Sequence, residues 1–142
     1  MKIKKHLDNY YKHDDIWYEN MLETLVNKYN EGYLIVYGKY EIVDEFGNLL
    51  KMPYEQGASG FIMDKLWSRN YISISCIIVQ KELLTKYRFK EEFNRVGDID
   101  LWLRLSEFYY FFFFNEKLQK SRDHELNLSK QNINEWSIER RK

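Results

Sequence analysis

The chain has 142 residues, enough for one domain that buries roughly two-thirds of its unfolded surface. Its 22 Lys and Arg balance 22 Asp and Glu, which excludes a large electrostatic footprint for nucleic acid. A single cysteine, Cys76, excludes an internal disulfide framework or a cysteine metal cluster and suits a reduced, cytoplasmic setting.

Residues 1–13 are polar and basic without a clear period and are expected as loop or a frayed segment. No apolar run follows the N-terminal lysines, so a cleaved signal peptide is not expected. Beyond Asp14 and Asp15, the spacing of Trp17, Met21, Leu22, Leu25, Val26 and Tyr29 predicts a helix ended by Gly32. A strand is predicted from Leu34 through a bend at Gly38 to Val43, then a turn over Asp44 to Asn48 and a returning strand over Leu49 to Met52. Gly57 to Gly60 is a flexible approach to a short helix carrying Phe61, Ile62, Leu66 and Trp67. The β-branched run Ile72 to Val79 predicts a central strand, and Lys81 to Tyr87 a short helix. Phe108 to Phe114 is only seven residues long, where a bilayer span needs roughly 20. It reads as a buried strand, and no transmembrane segment is expected. A short strand at Leu118 to Ser121 and a terminal helix at Asn132 to Arg141 complete a mixed α/β pattern without repeats or linkers.

Three segments carry chemistry. Val96-Gly97-Asp98-Ile99-Asp100-Leu101-Trp102-Leu103-Arg104-Leu105 puts two carboxylates, a tryptophan and an arginine at the start of one predicted helix. Gly97 breaks what precedes, Asp98 is the expected N-cap, and Leu101, Trp102, Leu105 and Phe108 form an apolar stripe to bury against a sheet. Asp100 and Arg104 stand four apart, acid first, and should pair. In His13-Asp14-Asp15-Ile16-Trp17, the adjacent carboxylates are either caps and dipole partners or hard oxygen ligands for a divalent cation. In Arg122-Asp123-His124-Glu125-Leu126-Asn127-Leu128-Ser129, the imidazole beside acids is either a surface group or a ligand. Beside these, Gly57 through Ser75 places Trp67, Asn70 and Ser73 to Ser75 just ahead of and within a predicted strand; Trp67 shares helical spacing with Phe61 and Leu66 and fits a core, although its plane suits the apolar face of a sugar ring.

Gly97 to Leu105 resembles the Glu-Asp-x-Asp-Leu-Trp-x-Arg-Leu segment of family 2 glycosyltransferases, inverting enzymes with a GT-A fold; Gly97 stands where the family has Glu. His13 to Trp17 is similar to the tail of the family's Leu-Asp-Ser-Asp-Asp-x-Trp pattern. Asp14 then matches the second motif Asp and Asp15 the acid after it, while Lys12 occupies the place of the first. Arg122 to Ser129 resembles the family's Arg-x-His-x-x-Asn-x-Ser segment. Tyr37-Gly38 with Asp44 to Gly47 resembles its Tyr-x-Asp and Asp-x-x-Gly stretch, with Lys39 in place of an acid. The likeness runs from about His13 to Ser129.

The resemblance implies an α/β fold, a partial GT-A-like mixed sheet flanked by helices. It forms a single domain with its transferase-like region at 14–129 and a helical tail at 130–142, and the family's N-terminal nucleotide-binding half has no counterpart. It casts Asp98 as the base that deprotonates an acceptor hydroxyl. Arg122 and His124 are cast as contacts to the donor diphosphate, and Trp67, Asp100 and Trp102 as the acceptor side. Asp14, Asp15 and His124 would hold Mg or Mn, against which Lys12 counts. The implied partners are a nucleotide-sugar and a glycan or lipid-linked acceptor of polysaccharide biosynthesis, in the cytoplasm or at the inner face of the membrane. Transfer by this chain alone is expected to be weak or absent. A competing expectation is a non-catalytic binding or assembly module, docked on a separate nucleotide-binding half or self-associating through an unpaired sheet edge and the aromatic segment. A third is an unrelated small α/β protein whose acids are all caps.

Overall fold

The computed structural model describes residues 15–51, 57–93 and 96–123. The expected loop at 1–13, the tail at 130–142 and its helix lie outside them. The elements in order are β1 (Asp15–Trp17), α1 (Met21–Asn30), β2 (Ile35–Val43), β3 (Leu49–Lys51), α2 (Met63–Ser68), β4 (Ile77–Val79), α3 (Lys81–Lys86), α4 (Gly97–Ser106) and β5 (Phe111–Arg122). They build the expected α/β arrangement, a mixed five-stranded sheet in the order β1-β5-β2-β3. The parallel pair β2 and β5 forms its centre, β1 pairs antiparallel with β5, and β3 and β4 pair antiparallel with opposite ends of β2.

The central strands are apolar on both faces because both faces are covered. Side chains alternate along a strand, so Ile35, Tyr37 and Phe111 enter one core with Leu101, Trp102 and Leu105 of α4 and Leu66 of α2. Val36 and Leu118 enter the other, with Met21 and Leu25 of α1 and Cys76. Burying side chains of this size contributes about 1.5–3 kcal/mol each relative to exposure.

Several sequence expectations change on contact with tertiary structure. Trp17 does not open the first helix but ends β1, and α1 starts at Met21. The predicted strands around Phe108 to Phe114 and Leu118 to Ser121 are one strand, β5, whose register against β2 shifts between Phe114 and Gln119. Phe108 falls beyond α4 and is exposed. Gly57 to Gly60 is not a free approach but a strap along β5: Gly60 and Phe111 exchange backbone hydrogen bonds at 2.9 Å, and Ser59 Oγ accepts from the Phe113 amide at 2.9 Å. Tyr37 Oη donates to the Ala58 carbonyl at 2.6 Å and accepts from its amide at 2.9 Å.

Only Ile77–Val79 of the predicted strand Ile72 to Val79 is ladder. The rest is turned by local polar groups: the Ile72 amide donates to Asn70 Oδ1 at 3.1 Å, and the Cys76 amide to the Ser73 carbonyl at 3.0 Å. Asn and Ser offer the backbone such alternatives to a ladder.

Candidate functional site

The site is built from the start of α4 and the turned segment before β4. Gly97 is the first helical residue and Val96 the cap, so Asp98 lies within the first turn rather than at the N-cap. The positive end of the helix dipole favours a carboxylate there. Burial nevertheless dominates and pushes the Asp98 carboxyl above its ordinary range, although the amides of Ile99 and Asp98 itself and the Asn70 side chain pull the other way. Asn70 Nδ2 donates to Asp98 Oδ2 at 3.1 Å.

Asp100, two residues further along the helix, is treated differently. Arg104 Nε and Nη2 reach its Oδ2 at 2.9 and 2.7 Å, as the four-residue spacing predicts, and Lys90 Nζ stands 3.4 Å from Oδ1. Arg104 Nη2 also donates to the Arg88 carbonyl at 2.8 Å, so Asp100 ties the helix to the chain before it. Trp102, expected on the acceptor side, is 2% exposed and is a core residue. A ring so covered has no face to offer a sugar. Trp67 goes the other way: Ile62 and Leu66 fill the core, and Trp67, 77% exposed, presents its ring to solvent instead of the interior its spacing suggested.

The far end of the turned segment grips the sheet. Ser73 Oγ donates to Gln119 Oε1 at 2.7 Å and Ser75 Oγ to Asp15 Oδ2 at 2.6 Å. Asn70 and Ser75 are joined by a stretch that could extend to about 18 Å at most, and its turns shorten it. The structure therefore holds Asp98 and Asp15, far apart in sequence, to the two ends of one short segment. In the sheet, Trp17, Gln119 and Tyr40 form one row and Asp15, Ser121 and Ile42 another on the same face. Arg122 follows Ser121, so its side chain leaves from the opposite face.

Of the expected metal ligands, Asp14 and His124 lie outside the described residues. Asp15 has one carboxylate oxygen engaged by Ser75, and among the described residues no group of three or more His, Cys, Asp or Glu is placed to hold an ion. The described residues alone do not fit a metal site. Cys76 is buried, and that burial pushes its thiol up to about 12, which removes it as a nucleophile at neutral pH.

Sequence reasoning missed two groups. Gln119 is fully buried in β5, and among the described residues its Nε2 has no acceptor. Glu41, 6% exposed, accepts a short hydrogen bond from Tyr18 Oη and has Lys117 Nζ at 3.4 Å. Burial raises its carboxyl, but Tyr18, Lys117 and Lys120 together outweigh burial and leave it below its ordinary range. The available signal was a charged residue between Tyr40 and Ile42 inside a predicted strand. Beside this cluster an open groove of about 570 Å³ is lined by Ile16, Trp17, Tyr18, Glu19, Asn20, Gly47 and Lys120.

No family model matches the chain. It is similar to an uncharacterized glycosyltransferase of Rickettsia conorii, 30% identical over 128 residues, and to one of Rickettsia felis, 29% identical over 128 residues; each match covers 79% of this chain and 20% of the relative. A third, from Rickettsia typhi, is 26% identical over 139 residues, 87% of this chain and 41% of the relative. The chain thus spans about a fifth of the length of the first two relatives. What these findings support together is a relationship to glycosyltransferases carried on a mixed α/β sheet flanked by helices.

Proposed function

We propose that this chain is part of a family 2 glycosyltransferase catalytic region of GT-A type, in which Asp98 takes the proton from an acceptor hydroxyl that attacks a nucleotide-sugar. The observation that carries this reading is the Asp98 carboxylate itself. It is half-buried in the first turn of α4, held by a neutral amide, and linked through one short segment to the sheet end that bears Asp15. Burial makes a carboxylate a stronger base, which brings its pKa toward the pH at which it must accept a proton. Trp67, exposed and three residues before Asn70 in the chain, is the aromatic plane proposed for the acceptor sugar. Of the two residues expected at the donor diphosphate, His124 keeps that role in the proposal, where developing charge needs electrostatic stabilisation; Arg122, whose side chain leaves the sheet on the face opposite to Asp15, is not assigned to it. A divalent cation belongs to the proposal only through Asp14 and His124, and no step is assigned to it.

The test is transfer or hydrolysis of UDP- and GDP-sugars by the purified chain. Turnover is expected to be weak and to fall about a hundredfold or more in Asp98→Asn, with circular dichroism unchanged. Turnover that Asp98→Asn leaves intact contradicts the assignment of the base. A second reading, a module that docks on a separate nucleotide-binding half, is favoured by the short span of the relatives that the chain covers. It is supported by binding of a sugar nucleotide only after that half is added.

A further inference from the structure

We propose that Asn70 is the positioning residue for Asp98, a neutral side-chain clasp that fixes one carboxylate oxygen and so orients the group toward a substrate hydroxyl. The inference rests on the transferase reading for its chemistry and on the following geometry for its substance.

Asn70 uses both ends of its amide. Its Oδ1 accepts from the Ile72 amide at 3.1 Å and its Nδ2 donates to Asp98 Oδ2 at 3.1 Å. A backbone amide can only donate and an ionised carboxylate can only accept, so the two contacts fix which end of the side chain faces which neighbour. The turn at Ile72 thereby aims the donor before Asp98 is met. The segment is itself anchored, through Ser73 on Gln119 and Ser75 on Asp15, so the clasp stands on the sheet rather than on a free loop.

The neutrality of the clasp matters as much as its aim. A cation beside Asp98 would orient it equally well but would stabilise the carboxylate and weaken it as a base. Among the described residues, the two cations Arg104 and Lys90 close on Asp100 rather than on Asp98. From α2, which packs on α4, Asp64 and Lys65 are exposed. Among the described residues the side chain that donates to Asp98 is Asn70. Two carboxylates two residues apart are thus sorted, one tied by cations and one held by an amide, which is how a fold separates a structural acid from a reactive one.

The experiment is a carbon-detected NMR titration of the Asp98 side-chain carboxyl in the full chain, without substrate, for wild type, Asn70→Ala and Asn70→Asp. Asn70→Ala removes the donor and the turn; Asn70→Asp keeps an acceptor for the Ile72 amide and replaces only the donor. The midpoint of Asp98 is expected to rise by roughly half to one pH unit in Asn70→Ala and further in Asn70→Asp, where a like charge faces it. Should Asn70→Ala fail to fold, Asn70→Asp decides alone. A midpoint unmoved in Asn70→Asp, with the Ile72 to Ser75 amide signals in their wild-type places, overturns the proposal. The titration needs no turnover, so failure of the transferase reading, seen as activity indifferent to Asp98→Asn, is read separately.

Discussion

Asp98 is held where a charge is costly, and that cost has a sign. Below the ordinary carboxyl pKa of about 4, folded and unfolded chains both carry a protonated Asp98 and nothing is lost. As pH rises, the unfolded chain ionises first and the folded one only at its raised value, so the residue's stability contribution is lost through that window. Asp98→Asn is therefore expected to melt close to wild type near pH 4 and above it at pH 7, as measured by calorimetry across pH; a mutant that melts lower at pH 7 than at pH 4, relative to wild type, contradicts the burial argument. Glu41 has the opposite sign. Its lowered carboxyl lends stability above the ordinary range that fades as pH falls. Tyr18→Phe removes a donor to a buried carboxylate and should cost about 1–3 kcal/mol at neutral pH by urea unfolding. An effect within a few tenths would show that Lys117 alone suffices. At this scale the sequence marked Asp98 as an acid at a helix start, yet Gly97 joins the helix and moves it inside the first turn. Glu41 was illegible because its partners Tyr18 and Lys117 meet it only through strand pairing.

The elements read best where one period dominates. The stripe Leu101, Trp102 and Leu105 is buried as its spacing required, and β2 runs from Ile35 to Val43 through Gly38. Gly38 is needed there because an added Cβ would lie 2.5 Å from Leu118 Cδ1. The reading failed where side chains compete for the backbone. Ile72 to Cys76 is rich in β-branched residues but carries Ser73 and Ser75 and follows Asn70, and those polar groups turn the chain toward Asp98, Asp15 and Gln119. The strap before α2 makes a further prediction. A Cβ on Gly57 would stand 2.3–2.6 Å from ring carbons of Phe113. Gly57→Ala should destabilise by about 1–3 kcal/mol, with Phe113→Leu relieving part of it in the double mutant; a cost that adds without coupling would place the strain elsewhere.

The whole molecule keeps the aromatic run that looked hazardous in sequence as its central strand: Phe111 is fully buried and Phe112, Phe113 and Phe114 are partly covered. Exposure is found instead at Phe61, Trp67 and Phe108, residues that helical spacing had assigned to core. No helix among the described residues is long and apolar enough to cross a membrane. The transferase reading expects a mass in light scattering that does not change with concentration, whereas the assembly reading expects growth with concentration. The segment order of the resemblance was legible across most of the chain, and the relatives agree on glycosyltransferase. What sequence could not supply was the way Asn70 to Ser75 spans from helix to sheet. The most direct measurement of the central claim is a two-dimensional amide NMR titration of the chain with simple hexoses and N-acetylhexosamines. The account predicts shifts concentrated at Trp67 to Ser75 and Gly97 to Trp102, weakened by Asp98→Asn. Shifts confined to Ile16 to Asn20, Gly47 and Lys120, around the groove beside Glu41, would contradict it.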